Sequence, residues 1–334
     1  MSAARAGSPA SGGIEFGLLL HTRRLMDDAG NADFAPLWDQ ARAAEAAGYD
    51  HVWLGDSVTV LNRARGDCLT LMAGLAVATR TIAIGTVPLL MSLRHPTTLA
   101  HALATIDVIS QGRLRIAASA GPVADYMSRQ FAACGVPPTE KAGRLTETIA
   151  LVRRLWAEER VTFEGRYFRI DNAGILPKPV QKPVPIWLAT GGTAAEAALK
   201  RVARIGDGWV STGPTAADFA AHRRVIDGFA ASYGRSPAEV ATSHLFAAVR
   251  CETDGDRARR EGWDWMVSFF RRPRERLEGT FTPIFGTPEE CARELAAYAK
   301  AGMTGLIARI ASDDLAGQTD ALLTKVRPGL TDLA

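Results

Sequence analysis

The sequence predicts an α/β protein built as a (β/α)8 TIM barrel with insertions at the C-terminal face of the barrel. Three observations support this fold. Eight short apolar runs alternate with amphipathic helical segments, which is the repeating unit of a barrel of parallel strands. No abrupt linker divides the chain. Its 334 residues are 47% hydrophobic and 22% charged, which is ample apolar material for one large core.

The predicted strands are the short apolar runs. The first, IEFGLLL, is typical of a buried strand, and the fifth, VPIWLAT, stops abruptly at two glycines. The eight strands are expected at residues 14–20, 51–55, 82–90, 113–119, 184–190, 207–211, 243–252 and 305–311.

The predicted helices have apolar residues at helical spacing and recognisable ends. The first ends at Gly48, since glycine commonly terminates helices. Thr287 is a predicted N-cap, with Pro288 in the first turn and acidic residues after it. A last helix is expected after the eighth strand. The other helices are expected at residues 34–48, 68–80, 97–110, 144–159, 194–206, 216–234 and 287–302.

Three segments do not fit a minimal strand–helix unit and are predicted insertions. They span residues 121–142, 161–182 and about 254–286. The second begins with a run, 161–172, that predicts a small β-hairpin. The third is rich in Trp, Phe and Arg, and two roles are open for it: a lid over the site or a dimer contact.

Residues 1–13 are small and polar and predict a disordered tail, so residues 14–330 are expected to form a single domain. The tail has no apolar core of a secretion signal. No run of about 18 apolar residues predicts a membrane span. A cytoplasmic protein is therefore expected.

The charge and the cysteines exclude further classes. The net charge is +3 and no dense Lys/Arg cluster occurs, which argues against a nucleic-acid partner. The four cysteines are far apart and show no metal-ligand spacing, so free thiols and no metal site are expected. They are Cys68, Cys134, Cys251 and Cys291.

A phosphate site is predicted where the fifth strand ends, at Gly191, Gly192 and Thr193. Glycine lets backbone N–H groups approach an anion, and the following helix start adds positive partial charge. The alternative is a tight turn that needs a positive φ. Strand-end phosphate sites are common in TIM barrels, and this context favours the phosphate site.

Polar residues at the ends of the first two strands are candidates for chemistry. Asp56 either orients a polar ring edge or caps the turn below it. His21 either acts as an acid or base or is a solvated loop residue, and Arg23 and Ser57 lie beside these positions.

Two further polar residues, Asp107 and Arg113, frame a helix end and a glycine turn. We expect them to tie the barrel together and not to react. No Ser/His/Asp nucleophile constellation can be assigned, and no lysine stands at a predicted strand end for Schiff-base chemistry. From the residues alone, a phosphate-binding aldolase or isomerase is a competing interpretation.

Several segments occur in an order that resembles the bacterial luciferase-like superfamily. They lie between about residues 16 and 209, and FGTPEECARELAAYAKAGMTGL continues the series near the C-terminus. The resemblance implies a TIM barrel that binds FMN or the deazaflavin coenzyme F420 and acts as a monooxygenase or a hydride-transferring oxidoreductase. The segments are AAEAAGYDHVWLGDS, IAIGTVPLLMSLRHP, ATIDVISQGRL, FEGRYFRIDN, LPKPVQKPVPIWLATGG and ARIGDGW.

The resemblance also assigns cofactor-binding residues. Gly191, Gly192 and Thr193 match the family's phosphate-binding turn. Ala120 and Gly121 match the loop after strand four, which passes near the cofactor.

Two more matches lie at the ends of strands two and three. Asp56 matches the acidic end of strand two. Val87–Pro88 matches a bulge of strand three that often carries a cis peptide behind the cofactor ring. Because a cis bond costs little before proline, the Val87–Pro88 peptide is predicted to be cis.

The sequence departs from the family at two positions. Ser57 stands where many relatives carry a His, and Pro122 stands where the deazaflavin sugar dehydrogenases carry an acid. Both departures argue against a sugar-phosphate dehydrogenase. The catalytic candidates are His21, Ser57 and Arg23.

The leading interpretation is a two-component monooxygenase that uses reduced FMN from a separate flavin reductase, and dioxygen, on a small organic substrate. The alternative is an F420-dependent reductase or dehydrogenase, which transfers hydride without oxygen. An alternative of another class is a flavin-binding protein without turnover, consistent with the missing His. The family also suggests a homodimer, with the helices after strands two and three as the contact.

Overall fold

The computed structural model describes residues 13–27, 29–59, 65–122, 124–191, 194–213 and 215–333. The predicted tail lies outside these ranges except for Gly13. Within them, each helix is too short or too polar to cross a lipid bilayer. The cytoplasmic location stays a prediction.

The strands lie close to the positions that the sequence predicts. All eight predicted strands are present, together with both strands of the predicted hairpin. The strands are β1 (Glu15–Leu19), β2 (His51–Leu54), β3 (Ala83–Leu89), β4 (Leu114–Ala118), β5 (Val161–Glu164), β6 (Arg169–Ala173), β7 (Ile186–Gly191), β8 (Gly208–Thr212), β9 (Ser243–Cys251), β10 (Thr282–Gly286) and β11 (Gly305–Ile310).

Eight of these strands close into a barrel. Their order is β1, β2, β3, β4, β7, β8, β9 and β11, and β11 returns to β1. Parallel pairing of β8 with β9 and of β9 with β11 completes the ring. The predicted TIM barrel is therefore confirmed, and the carboxyl ends of its strands form one face, where TIM-barrel active sites lie.

The strand β9 changes its neighbour halfway along its length. Residues 243–246 pair with β8, and residues 247–251 pair with β10. β10 lies inside the predicted insertion 254–286 and was not predicted as a strand. It contains Pro283, which a sheet tolerates at an edge, and β9 is its partner in the sheet of the described residues.

The helices include two that the sequence analysis left inside insertions, α4 and α8. The N-cap predicted at Thr287 is present, with its side chain accepting from Glu290 N, and the Glu290 side chain completes a capping box. The helices are α1 (Ala35–Ala47), α2 (Cys68–Ala78), α3 (Pro96–Ile109), α4 (Asp125–Ala133), α5 (Lys141–Ala157), α6 (Glu196–Ile205), α7 (Ala216–Ser232), α8 (Gly255–Phe270), α9 (Pro288–Lys300), α10 (Leu315–Ala321) and α11 (Arg327–Leu333).

The predicted hairpin is confirmed as the antiparallel pair β5–β6. Its turn is held by one carboxylate, Glu147 of α5, which accepts backbone N–H groups of Arg166, Tyr167 and Phe168. A carboxylate that satisfies three main-chain donors fixes an irregular segment that otherwise lacks partners.

The chain forms two compact units. Unit 1 comprises His21–Arg42 and Leu54–Trp187. In this unit Arg113 donates to Ala76 O and Ile82 O, at 2.8 Å each, and Asp107 accepts from Gln181 Nε2 at 2.6 Å. Arg113 and Asp107 therefore tie elements together, as predicted.

Unit 2 comprises residues 13–20 and 43–53 together with the chain from residue 188 to the last described residue. Its outer layer is anchored by Trp209 of β8, which is fully buried and packs on Phe219 of α7 with ring centroids 4.6 Å apart. The Trp209 indole N–H donates to Thr190 Oγ1 at 2.9 Å. The apolar ring is therefore packed in the core while its N–H group has a hydrogen-bond acceptor. The single domain expected over residues 14–330 stays a prediction.

Candidate cofactor site

A buried ion pair lies just beyond the end of β2. The Asp56 side chain is 1% exposed, and both of its oxygens accept from Arg94. Arg94 Nη1 donates to Oδ2 at 2.6 Å and Nη2 donates to Oδ1 at 2.9 Å. The backbone N–H of Leu90 donates to Oδ2 at 3.0 Å. This two-pronged pair fastens the loop after β2 to the segment after β3.

The pair also fixes the charge of Arg94. Burial opposes this charge, but the hydrogen bonds and charge of Asp56 outweigh it and raise the pKa of Arg94 above its ordinary value. The guanidinium is therefore charged at every working pH. Sequence reasoning missed Arg94, because nothing local links it to a partner 38 residues earlier. Asp56 has the position expected from the resemblance, and its contact with a cofactor stays a prediction.

Asp67 lies beside this pair and caps α2. Its Oδ1 accepts from Thr70 N at 2.9 Å, and Arg94 Nη2 lies 3.5 Å from Oδ2. Burial raises the pKa of Asp67, but the hydrogen bonds from Thr70 and the charge of Arg94 outweigh it and hold this pKa below its ordinary value. The capping contribution is therefore full above the pKa of an unfolded Asp and is lost as the pH falls through the lower folded pKa.

We expect Asp67→Ala to lower the free energy of unfolding by about 1 kcal/mol at pH 7, the usual cost of losing an N-cap. The difference from the wild type should begin to shrink as the pH falls below about 4, the ordinary pKa of an unfolded Asp, and should be lost as the pH passes through the lower pKa of the folded protein. Urea unfolding at several pH values measures this. Asp67→Asn is the control, since it keeps the acceptor; an Asn variant as unstable as the Ala variant would argue against the capping role.

The carboxyl end of β3 carries the predicted bulge. The pairing of β3 with β4 shifts register between Thr86 and Leu89. The Val87–Pro88 peptide within this shift is cis, as predicted. Leu89 and Leu90 beside it are buried, so the surroundings of the end of β3 are apolar.

The loop after β4 is held by a lysine. Lys141 Nζ, at the start of α5, donates to Gly121 O at 2.9 Å and Pro122 O at 3.1 Å. Gly121 has φ +78°, a conformation that strongly favours glycine, and its N–H donates to Ser119 Oγ. Burial lowers the pKa of Lys141. Ala120 and Gly121 thus lie in an ordered strand-end loop, and their cofactor contact stays a prediction.

The catalytic candidates follow β1 and β2. His21 is 4% exposed and precedes a 3₁₀ helix at Thr22–Leu25, and Arg23 lies on that helix. Ser57 is partly exposed. The next N–H, of Val58, donates to Gln130 Oε1 of α4, which fixes the loop that carries Ser57. Their catalytic roles stay predictions.

Gly191 is the last residue of β7 and is exposed. Its φ is outside the left-handed region, and a Cβ added there would meet no atom of the described residues within 4 Å. The fold therefore does not require glycine at position 191, which removes the tight-turn explanation there and suits a close backbone approach to a ligand. Gly192 and Thr193 lie outside the described residues. The helix α6 begins at Glu196, two residues later than predicted, and Glu196 pairs with Lys200 at 2.5 Å.

A polar cluster lies at the amino ends of β1, β2 and β9, on the inner face of unit 2. His244 Nε2 lies 3.1 Å from Glu15 Oε2 and 3.3 Å from His51 Nε2. Three such groups are able to hold a metal ion. However, the Trp53 indole, which can only donate, donates to His51 Nδ1 at 2.5 Å. A neutral His51 therefore carries its proton on Nε2, the atom that faces the other two groups, and this favours a hydrogen-bonded network over a metal ligand set. The absence of a metal site stays a prediction.

The closed barrel, with a bulge in its third strand, fits a class of protein that the family match establishes, the luciferase-like oxidoreductases. The chain belongs to the luciferase-like monooxygenase family, whose model matches residues 14–270. The predicted family and the predicted oxidoreductase class are confirmed.

One curated relative is the F420-dependent glucose-6-phosphate dehydrogenase of Kineococcus radiotolerans. It is 30% identical over 266 residues, which cover 77% of this chain and 72% of the relative. Two solved structures share the fold. Monooxygenase RslO1 from Streptomyces bottropensis has a TM-score of 0.78 at 23% identity, covering 96% of this chain and 99% of its own. An F420-dependent secondary alcohol dehydrogenase in complex with an F420-acetone adduct has a TM-score of 0.78 at 19% identity, covering 95% and 99%.

Proposed function

We propose that the protein is an F420-dependent dehydrogenase or reductase of a small organic substrate. The observation that carries the choice of coenzyme is the relative from Kineococcus, named as F420-dependent, which aligns over 77% of the chain. The F420-dependent interpretation therefore replaces the leading interpretation from the sequence, which was a monooxygenase that uses reduced FMN from a separate flavin reductase, and dioxygen.

The residues present suit such a coenzyme. At Gly191, the last residue of β7, no side chain covers the backbone, so its N–H group is accessible to an anionic group of the coenzyme. We extend this proposed anion site to Gly192 and Thr193, which lie outside the described residues. In unit 1, the apolar bulge at Val87–Pro88 suits the face of an aromatic ring. When bound, the deazaflavin supplies a hydride acceptor or donor.

The protein's own part in the reaction is to orient groups and to move a proton. Both Asp56 oxygens are engaged by Arg94, so we assign Asp56 a positioning role and not that of a base. We assign the proton transfer to the imidazole of His21, a buried side chain directly after β1. The Ser57 hydroxyl, after β2, is a second group that is able to donate or accept.

The test is a pair of titrations of the purified protein, one with F420 and one with FMN, followed by absorbance and fluorescence. We expect F420 to bind at least about 10-fold more tightly, a difference of about 1.4 kcal/mol in binding free energy. Tighter binding of reduced FMN, with oxygenation of a substrate, would restore the monooxygenase interpretation. Tight binding of oxidised flavin without turnover would favour the non-catalytic interpretation.

The proposed partner is a second copy of the chain, bound through α2 and α3. Three apolar side chains on these helices are exposed: Val77 at 72%, Val108 at 39% and Ile109 at 41%. Burial of such side chains is the main driving force for association. Light scattering of the purified chain measures its mass, and a monomer at micromolar concentration would contradict this assembly.

A further inference from the structure

Two of the four cysteines lie next to each other in unit 2. Cys251 is the last residue of β9, and Cys291 lies in the first turn of α9. The Cys291 Sγ is 3.8 Å from Arg250 O, the carbonyl of the peptide unit that leads into Cys251. The two thiols are also hydrogen-bonded to each other. Cys251 is 5% exposed and Cys291 is 1% exposed, so the pair is shielded from bulk water and only a small reagent reaches it.

The backbone around each thiol is fixed by hydrogen bonds. The Cys251 N–H donates to Gln318 Oε1 at 2.7 Å, and the Cys251 carbonyl accepts from Gln318 Nε2 at 2.8 Å. The capping box of Thr287 and Glu290 fixes the start of α9, and it ends one residue before Cys291. A strand end and a helix start therefore hold the two sulfur atoms against each other.

The contact makes the two thiols unequal. The hydrogen bond from Cys291 outweighs the effect of burial and lowers the pKa of Cys251, and the charge of Lys325 acts in the same direction. The same hydrogen bond, together with burial, raises the pKa of Cys291. Because the thiolate is the reactive form of a cysteine, Cys251 is the sulfur that reacts first with an oxidant, and Cys291 is positioned to react second.

The other two cysteines, Cys68 and Cys134, differ from this pair. Cys68 lies beside the ion pair of the candidate site, with its Sγ 4.0 Å from Arg94 Nη2, and burial raises the pKa of its thiol. Burial also raises the pKa of Cys134. Both thiols are therefore protonated at neutral pH and react slowly with oxidants. Cys134 is more exposed than either member of the pair, so it provides a control for accessibility alone.

We propose that Cys251 and Cys291 form a site of reversible oxidation, at which hydrogen peroxide converts the two thiols into a disulfide bond. The Cys251 thiolate attacks one oxygen of the peroxide. The O–O bond breaks, the leaving hydroxide takes up the proton that the thiol has lost, and Cys251 becomes a sulfenic acid. The Cys291 thiol then attacks this sulfur: the S–S bond forms, the S–O bond breaks, and water leaves with the Cys291 proton. Two thiols are oxidised, and one peroxide is reduced to two waters.

The disulfide bond would enclose the insertion 254–286 in a covalent loop, because it would join the end of β9 to the start of α9. A bond across a long loop restricts the unfolded chain more than the folded one. We therefore expect the oxidised protein to unfold at a temperature about 5 °C higher than the reduced protein. This inference goes beyond the proposed function and does not depend on which coenzyme binds.

The test treats the purified protein with hydrogen peroxide, labels the remaining thiols with iodoacetamide under denaturing conditions, and maps the peptides by mass spectrometry. We expect a peptide that links Cys251 to Cys291, with the label on Cys68 and Cys134, and we expect dithiothreitol to remove the link. Label on both Cys251 and Cys291 after peroxide treatment would overturn the proposal. A sulfinic acid at Cys251 without a link would overturn it as well.

Two variants assign the change in unfolding temperature to this bond. Cys251→Ser should lose the rise of about 5 °C on oxidation. Cys134→Ser, the matched control, removes the more exposed thiol and should keep the rise. A rise that survives in Cys251→Ser would place the oxidation elsewhere and contradict the proposal. If Cys251→Ser does not fold, Cys291→Ala replaces it with the same expected loss, and the peptide map of the wild type decides independently of either variant.

Discussion

Replacing Arg94 with methionine is expected to lower the free energy of unfolding by about 3–5 kcal/mol, the usual cost of leaving one partner of a buried ion pair without the other. The reason is the near-complete burial of Asp56, whose side chain is 1% exposed. The variant removes two hydrogen bonds, of 2.6 and 2.9 Å, and leaves a buried carboxylate that still accepts from the Leu90 N–H. Urea unfolding followed by circular dichroism measures the loss.

A double variant separates the ion pair from the packing around it. Asp56→Asn combined with Arg94→Met removes both charges, so we expect it to be more stable than Arg94→Met alone. Arg94→Lys keeps the charge but not the two-pronged geometry, and it should lie between the wild type and the methionine variant. A loss below about 1 kcal/mol for Arg94→Met, the range of exposed ion pairs, would show that this pair does not hold the strand ends together.

Replacing Gly191 with aspartate is expected to abolish coenzyme binding while leaving the fold intact. A side chain has room there, because an added Cβ meets no atom within 4 Å in the part of the chain that the structure describes, and the backbone is not left-handed. Two like charges about 4 Å apart at an effective dielectric constant of about 20 repel by about 4 kcal/mol, so coenzyme affinity should fall at least about 100-fold. F420 titration measures the affinity, and thermal unfolding checks the fold.

Gly191→Ala is the matched control for this charge effect. It adds one methyl group without charge, and we expect it to weaken binding by about 10-fold or less, or about 1.4 kcal/mol. An aspartate variant that binds F420 as well as the wild type would move the anion site away from the end of β7. An aspartate variant that unfolds would instead show that the open space at this position is needed by the fold.

The barrel was predictable because its signals are local. Each strand is a short apolar run and each helix has its own periodicity and ends, as at Thr287. The strand β10 was not predictable in this way. It forms because β8 stops pairing at residue 246 of β9, which leaves the second half of β9 open to a new neighbour.

The sequence predicted the positions of several residues of the candidate site, but not the long-range interactions that hold them. Asp56 was found from its position after the second strand, and Gly121 from the resemblance of its loop to the luciferase-like family. Arg94 and Lys141 were missed, because each acquires its role from groups distant in sequence: a carboxylate and two loop carbonyls, respectively. A lone Arg or Lys in a sequence carries no sign of such a partner.

The hydrogen-bonding of β10 to β9 limits how the insertion is able to move. The segment 254–286 follows β9 in the chain, and it ends in β10, which is hydrogen-bonded to β9. Both ends of the segment are therefore held on the same strand of the barrel. A flap that swings on one hinge needs a free end, and this segment has none. Any gating by its aromatic residues would have to come from a change of conformation in the short stretch between α8 and β10, residues 271–281, while the two ends of the segment stay fixed on β9.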